Sequence, residues 1–246
     1  AGHGGSDGGA TYNGRLEKDD NLKLALAVGN LLEQRGYRVV YTRTEDVFDS
    51  PLEKARIANR SGADYFVSFH RNSSPYPNTY SGVETLVYTD SGVRGELARS
   101  VNEELEKAGF KNLGVKERKN LAVLRRTQMP AILIEAGFIN TDADNRTFDQ
   151  NFNAIAEAIA DGIENVVGPG TPEAKTYRVQ TGLFRRYGNA RFMLDRLIDE
   201  GFEAEIVESG EYFAVQVGSY NSLEDARKAQ MQLRNLGYDT LIVTAK

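Results

Sequence analysis

The last third of the chain is written twice. Tyr177-Arg-Val-Gln-Thr-Gly-Leu-Phe184 aligns with Phe213-Ala-Val-Gln-Val-Gly-Ser-Tyr220 at an offset of 36 (213 − 177). The register holds through Ala190/Ala226, Arg191/Arg227, Leu197/Leu233, Gly201/Gly237, Phe202/Tyr238 and Ile206/Ile242. Each copy reads strand, helix, strand. Two copies are too few for a repeat array, so they predict one small α+β domain of the ferredoxin-like βαββαβ type. Upstream, Gly168-Pro169-Gly170-Thr171-Pro172-Glu173 interrupts every periodic pattern and marks a boundary. We divide the 246 residues into a first domain over 1–167, a linker over 168–174 and a second domain over 175–246.

Strands and helices alternate along the first domain. Asn21–Arg35 carries leucines at helical spacing and stops at Gly36. Tyr37–Thr42 reads as a strand. Pro51–Ser61 reads as a helix, with proline at its start and Gly62 after it. Tyr65–Phe69 and Val83–Tyr88 read as strands, and Ser73–Ser81 as a loop between them. Gly92–Ala108 follows as a helix, Leu121–Leu124 as a short strand, Ala131–Ile134 as a buried strand and Asn151–Val166 as a closing helix. This order predicts an α/β domain, its mainly parallel sheet covered by helices on both faces.

Composition removes several functions. Cysteine is absent, which excludes disulfides, thiol catalysis and cysteine zinc sites. The net charge is −5 with the signs interspersed, and the tail with its linker, 168–246, carries 10 basic and 11 acidic residues (10 − 11 = −1). Neither value fits nucleic acid or an anionic membrane as partner. No apolar run approaches the roughly 20 residues of a membrane span, and no signal peptide is visible.

The chain holds two histidines, each where chemistry would use one. His3 sits in the glycine turn Gly2-His3-Gly4-Gly5. His70 closes the strand Tyr65–Phe69. Glu17 lies ahead of the first long helix, and Glu135 closes the strand Ala131–Ile134. Ligands in open α/β sheets gather beyond the carboxyl ends of strands, which brings His70 and Glu135 to one edge. Two histidines and a carboxylate make a usual catalytic zinc set with a fourth position for water. A further carboxylate can carry the water proton to a leaving group. Chemistry leaves open which of Glu17 and Glu135 is the ligand and which the acid/base. The blander readings make Glu135 a partner of Arg43, Arg56 or Arg125, and Glu17 a solvated carboxylate favoured by the helix dipole. No Gly-Lys-Ser/Thr follows the glycine turn, so it is not a P-loop.

Taken together, Gly2–Ala10, Leu16–Asp19, Thr42-Arg43, Arg56–Asn59, Ala63–Asn72, Gly82–Glu84, Leu124-Arg125 and Pro130–Asn140 resemble the zinc-dependent N-acetylmuramoyl-L-alanine amidases of the amidase-3 family. The resemblance implies zinc binding by His3, Glu17 and His70, and catalysis by Glu135. The implied reaction is hydrolysis of the amide between N-acetylmuramic acid and L-alanine in peptidoglycan. Asn72 and Arg125 are candidate substrate contacts. The chain departs from the family in two places. The strand that precedes the family's Gly-His turn is missing here, and Arg71 replaces a small residue after the second histidine. That arginine either alters substrate preference or points to solvent.

The tail resembles a SPOR domain, which implies binding to glycan strands stripped of stem peptides. Gln180, Phe184, Gln216 and Tyr220 are its candidate contacts, although Phe184 and Tyr220 also suit the core. The combination is similar to amidases of endospore formers that lyse the mother-cell wall. The expected protein is a monomer at the cell wall, with peptidoglycan as partner, no nucleic acid and no membrane insertion. Two rivals remain: a non-catalytic wall-binding protein, and a zinc peptidase acting within the stem peptide.

Overall fold

The computed structural model describes residues 1–170, 176–220 and 222–244, so residues 171–174 of the expected linker lie outside the described residues. The chain divides into two units, Ala1–Thr171 and Pro172–Lys246.

The first unit runs β1 (Thr11–Tyr12), β2 (Arg15–Leu16), α1 (Glu17–Gln34), α2 (Pro51–Ser61), β3 (Phe66–Asn72), β4 (Val83–Val87), α3 (Gly92–Lys107), β5 (Asn112–Glu117), α4 (Ala122–Arg126), β6 (Ala131–Phe138), α5 (Asp142–Gln150) and α6 (Phe152–Val167). The main sheet has the order β3-β6-β4-β5. β3 is parallel to β6 and β5 to β4, but β4 is antiparallel to β6, so the sheet is mixed. Side-chain alternation sorts β6 into two faces. Ile132, Ile134 and Ala136 join a core with Leu24 and Val28 of α1, Leu97 and Val101 of α3, and Ile155 and Ile159 of α6. Ala131 and Leu133 face the other way and pack on Val123 and Leu124 of α4. Glu135 shares their parity, so it belongs to the α4 side of the sheet.

Local signals set the helix ends. Ser50 caps α2 by accepting from the Glu53 N–H at 3.2 Å, Pro51 starts it, and Gly62 ends it at φ 68°. Two expected strands are absent. Tyr37–Thr42 keeps a two-residue exposure rhythm over 37–41 but has no ladder partner among the described residues. Leu121–Leu124 enters helix α4 instead. Strands β4 and β6 already have neighbours on both sides, and so short an apolar run does not distinguish strand from helix.

The second unit runs β7 (Tyr177–Phe184), α7 (Tyr187–Asp199), β8 (Ala204–Ser209), β9 (Tyr212–Tyr220), α8 (Leu223–Asn235) and β10 (Leu241–Thr244). Its sheet is antiparallel throughout, in the order β10-β7-β9-β8. The two βαβ copies interleave, so the first strands of both, β7 and β9, are central. Equivalent positions of the repeat share one fate: Ala190 and Ala226, and Leu197 and Leu233, are all fully buried.

Ile159 of α6 is fully enclosed in the core that α6 shares with α1 and α3. Ile159→Ala is expected to lower the unfolding free energy by about 2–5 kcal/mol, read from the denaturant midpoint at unchanged slope.

Candidate metal centre

The glycine turn is built to carry a histidine. His3 has φ 53°, a left-handed conformation that few non-glycine residues adopt. A Cβ on Gly2 would stand 2.2 Å from Cε1 of His70, and one on Gly9 2.6 Å from Oε2 of Glu17. The backbone therefore packs directly against two of the residues that sequence reasoning singled out. Buried Arg43 fixes the turn, donating from Nη2 to the carbonyls of Gly2 and Lys18, both at 2.9 Å.

Glu17 is the first residue of α1 and is buried, not a solvated helix-start carboxylate. Its Oε1 lies 3.2 Å from His3 Nε2 and 2.9 Å from His70 Nδ1. Oε1 also accepts from Asn21 Nδ2 and the Arg71 N–H, both at 3.2 Å, and Oε2 accepts from the Ala10 N–H at 2.8 Å. Burial alone would raise the Glu17 carboxyl. The hydrogen bonds from His3 and His70 outweigh it and hold the group well below the usual carboxylate range. His3 is pushed up to about 9, first by its hydrogen bond to Glu17. Burial pushes His70 down.

One ligand atom from each of His3, Glu17 and His70 lies within 4.8 Å of the others. In a tetrahedral zinc site with ligand bonds near 2.0–2.2 Å, donor atoms stand roughly 3.3 Å apart. The two measured Glu17–histidine distances, 3.2 and 2.9 Å, are close to that spacing, so the donor set fits a zinc ion. Asp7 completes the surroundings: its Oδ2 lies 2.8 Å from His3 Nδ1 and its Oδ1 accepts from the Gly9 N–H at 3.1 Å. A carboxylate behind a histidine fixes the ring's tautomer and orientation. Sequence reasoning gave Asp7 no role, although its place four residues after His3 in the same turn was the available signal.

Glu135 lies beside His70 in the parallel β3/β6 register and beside Glu84 in the antiparallel β4/β6 register. Its Oε2 is buried without a hydrogen-bond partner among the described residues. Arg43 and Arg56 are engaged elsewhere, on backbone carbonyls and on Glu53. Burial, then the charges of Glu17 and Glu84, push the Glu135 carboxyl up to about 8. A cation at the triad would oppose that rise.

A cavity of about 480 Å³ opens over this group. It is lined by the glycine turn and the start of α2, by Ser68, His70, Leu133 and Glu135 of the sheet, and by residues 118 and 120–123. Asn72 ends β3 and donates to Glu84 Oε1 at 3.0 Å. Arg125 lies on the exposed side of α4, outside the cavity lining; Arg118 is the arginine in the wall. Arg71 neither faces the cavity nor reaches solvent. It is buried, donates from Nη1 to Asp20 Oδ2 at 2.5 Å, and lies 4.1 Å above the Phe148 ring.

In the second unit, Gln180 and Gln216 are register partners on the central strands. The Phe184 ring folds over Gly182 and the Tyr220 ring over Gly218, and both rings pack against that unit's core.

Residues 1–165 match the family described as N-acetylmuramoyl-L-alanine amidase, and residues 173–244 match the SPOR domain. The sporulation-specific N-acetylmuramoyl-L-alanine amidase of Bacillus subtilis (strain 168) is 35% identical over 213 residues, covering 84% of this chain and 82% of that protein. N-acetylmuramoyl-L-alanine amidase CwlM of Bacillus licheniformis is 34% identical, with 84% and 82% covered. Among solved structures, the N-acetylmuramoyl-L-alanine amidase from Clostridium difficile 630 superposes with a TM-score of 0.64 at 35% identity, covering 68% of this chain and 92% of that one.

Histidine must lose its proton to bind a metal. With His3 protonated up to about pH 9 in the ion-free geometry, zinc uptake displaces a proton at neutral pH. Apparent zinc affinity is expected to rise by roughly tenfold per pH unit from pH 6 to 8, measured by competition with a chelating dye. A flat profile would contradict the His3–Glu17 coupling.

Proposed function

The chain belongs to the N-acetylmuramoyl-L-alanine amidase family over residues 1–165, and we propose that it hydrolyses the amide between N-acetylmuramic acid and L-alanine in peptidoglycan, using one zinc ion held by His3, Glu17 and His70. The observation that carries this reading is the convergence of those three donors beside a carboxyl group with a buried, unpartnered oxygen. When bound, zinc supplies Lewis-acid polarisation of the scissile carbonyl and makes water acidic enough to attack at neutral pH.

The chain's own residues do the rest. Asp7 holds the His3 ring in place, and Asn21 with the Ala10 and Arg71 N–H groups holds the Glu17 carboxylate. Glu135 takes the proton of the attacking water at its free oxygen and delivers it to the amine of the departing L-alanine. Burial and the charges of Glu17 and Glu84 push this carboxyl up to about 8 without an ion; with zinc bound it comes down toward the range in which it can accept and release the proton. Glu84, tethered by Asn72, keeps a second carboxylate beside Glu135 and so helps to hold its pKa up.

The SPOR domain at residues 173–244 anchors the enzyme on glycan strands from which stem peptides have been removed. Gln180 and Gln216 stand side by side at the middle of the sheet and, with half-buried Phe184 and Tyr220, are the candidate sugar contacts. Holding the enzyme on its own product raises its effective concentration along the wall. Its likeness to a sporulation-specific amidase supports action on the mother-cell wall. Among the described residues, no helix is long and apolar enough to cross a membrane.

Glu135→Gln is expected to keep zinc and lose hydrolysis by about 10²–10⁴-fold. Release of L-alanine amino termini from purified walls, with recovery of peptide-free muramic acid, is the assay. Turnover comparable to the parent would remove Glu135 from the chemistry. Cleavage inside the stem peptide would replace the amidase with a peptidase.

Removing residues 171–246 is expected to spare cleavage of soluble muropeptides while weakening co-sedimentation with denuded walls. Equal pelleting of both forms would reject the anchoring role.

A further inference from the structure

The cavity lining carries a cation with no acidic partner among the described residues. Arg118 follows β5, and its N–H donates to the Val87 carbonyl at 2.8 Å, so the strand pairing fixes its backbone at the end of the sheet. Its Nη1 reaches only the carbonyl of its own neighbour, Glu117, at 3.1 Å. No carboxylate among the described residues pairs with it. The acid next to it, Glu117, is taken by Lys119 at 3.3 Å and by the Asp90 N–H at 3.0 Å. Yet Arg118 lines the cavity that holds His3, His70 and Glu135, and its charge is felt by Glu135.

The cavity's other cation serves differently. Lys54 is buried, and its Nζ is sealed from solvent without a hydrogen-bond partner. It cannot meet a ligand without moving. Arg118 is exposed and lines the same cavity, with only its Nη1 engaged among the described residues, on the Glu117 carbonyl. A planar guanidinium fork matches a carboxylate in bidentate fashion.

We propose that Arg118 binds a substrate carboxylate on the peptide side of the scissile amide, and so sets specificity for an anionic stem peptide. This rests on the amidase reading. The residue after L-alanine in a stem peptide is a glutamate joined through its side-chain carboxyl, so its α-carboxyl is free or amidated. That carboxyl is the first anionic group beyond the leaving amine. With zinc and Glu135 at the amide, Arg118 in the cavity lining would give the anion a partner of opposite sign, where Glu17 and Glu135 would repel it.

The test uses the full chain loaded with zinc and two synthetic muramyl peptides that differ only in a free or amidated α-carboxyl at the second peptide residue. The parent is expected to prefer the free acid by about ten- to a hundredfold in kcat/KM, mostly through KM. Arg118→Gln should bring the ratio of the two substrates to about one, and Arg118→Lys should restore part of it. A parent without preference, or an Arg118→Gln that slows both substrates while keeping their ratio, overturns the proposal. Calorimetric titration with the two released peptides separates it from the amidase reading. Carboxylate-dependent binding that vanishes in Arg118→Gln, in a protein that cleaves neither substrate, leaves the anion site standing and removes the amidase.

Discussion

The Glu17 carboxylate is the point on which the first unit is organised. Its oxygens accept from the start of the chain's first hairpin, through Ala10, from its own helix, through Asn21, and from the end of β3, through Arg71. Both histidines close on the same oxygen, Oε1. Those five groups come from three segments, so one side chain ties together the glycine turn, α1 and the sheet. Burial of a carboxylate is costly by itself. Here the penalty is offset by charge-assisted hydrogen bonds, each stronger than a neutral one.

A second tie holds the same helix from behind. Asp20, one turn after Glu17, lies between Arg71 and Arg15, with its Oδ2 at 2.5 and 2.7 Å from their nitrogens. Arg15 continues to Asp149 in α5 through two hydrogen bonds, at 2.9 and 2.7 Å. Burial lowers Arg71 to about 10, so it stays charged at neutral pH. Removing one member of such a buried pair strands the other and costs about 3–5 kcal/mol. Arg71 thus holds Glu17 from both sides of the peptide: its N–H bonds the carboxylate, and its side chain anchors the helix that carries it.

Punctuation and parity were legible in the sequence; partnership was not. Ser50, Pro51 and Gly62 mark both ends of α2 because capping is local. The strand positions of His70 and Glu135 put them on one face because side chains alternate, and β3 and β6 are register neighbours. The expected strand at Tyr37–Thr42 failed because a strand needs a ladder partner that no local pattern supplies. Strand β5 was missed because Asn112 and Gly114, the latter at φ 80°, conceal its alternation. Helix α5 was missed because only Asp144 and Phe148 of its residues are buried. Arg71 and Arg118 show the same limit at the site. Their roles depend on where a side chain points after folding: Arg71 lies inside the piece Ala63–Asn72, and Arg118 lies outside every piece that carries the resemblance.

Glu17 and Glu135 show how one residue type acquires two chemistries. The sequence left them interchangeable, as two carboxylates near two histidines. Glu17 is buried and Glu135 is half-buried with its Oε2 sealed from solvent, so burial pushes both toward the neutral form. What separates them is the sign of their neighbours. Glu17 receives donors on both oxygens and is driven toward the ionised form that a cation requires. Glu135 faces Glu17 and Glu84, keeps one oxygen unpartnered, and is pushed up to about 8 in the ion-free site. Two carboxyl groups pushed in opposite directions by their surroundings are the pattern expected of a ligand and an acid/base. The shift of Glu135 also depends on Glu17 being ionised, since the charge of Glu17 is a leading cause of it after burial. The donors that fix Glu17 therefore contribute to both halves of the site, the ligand directly and the acid/base through its charge.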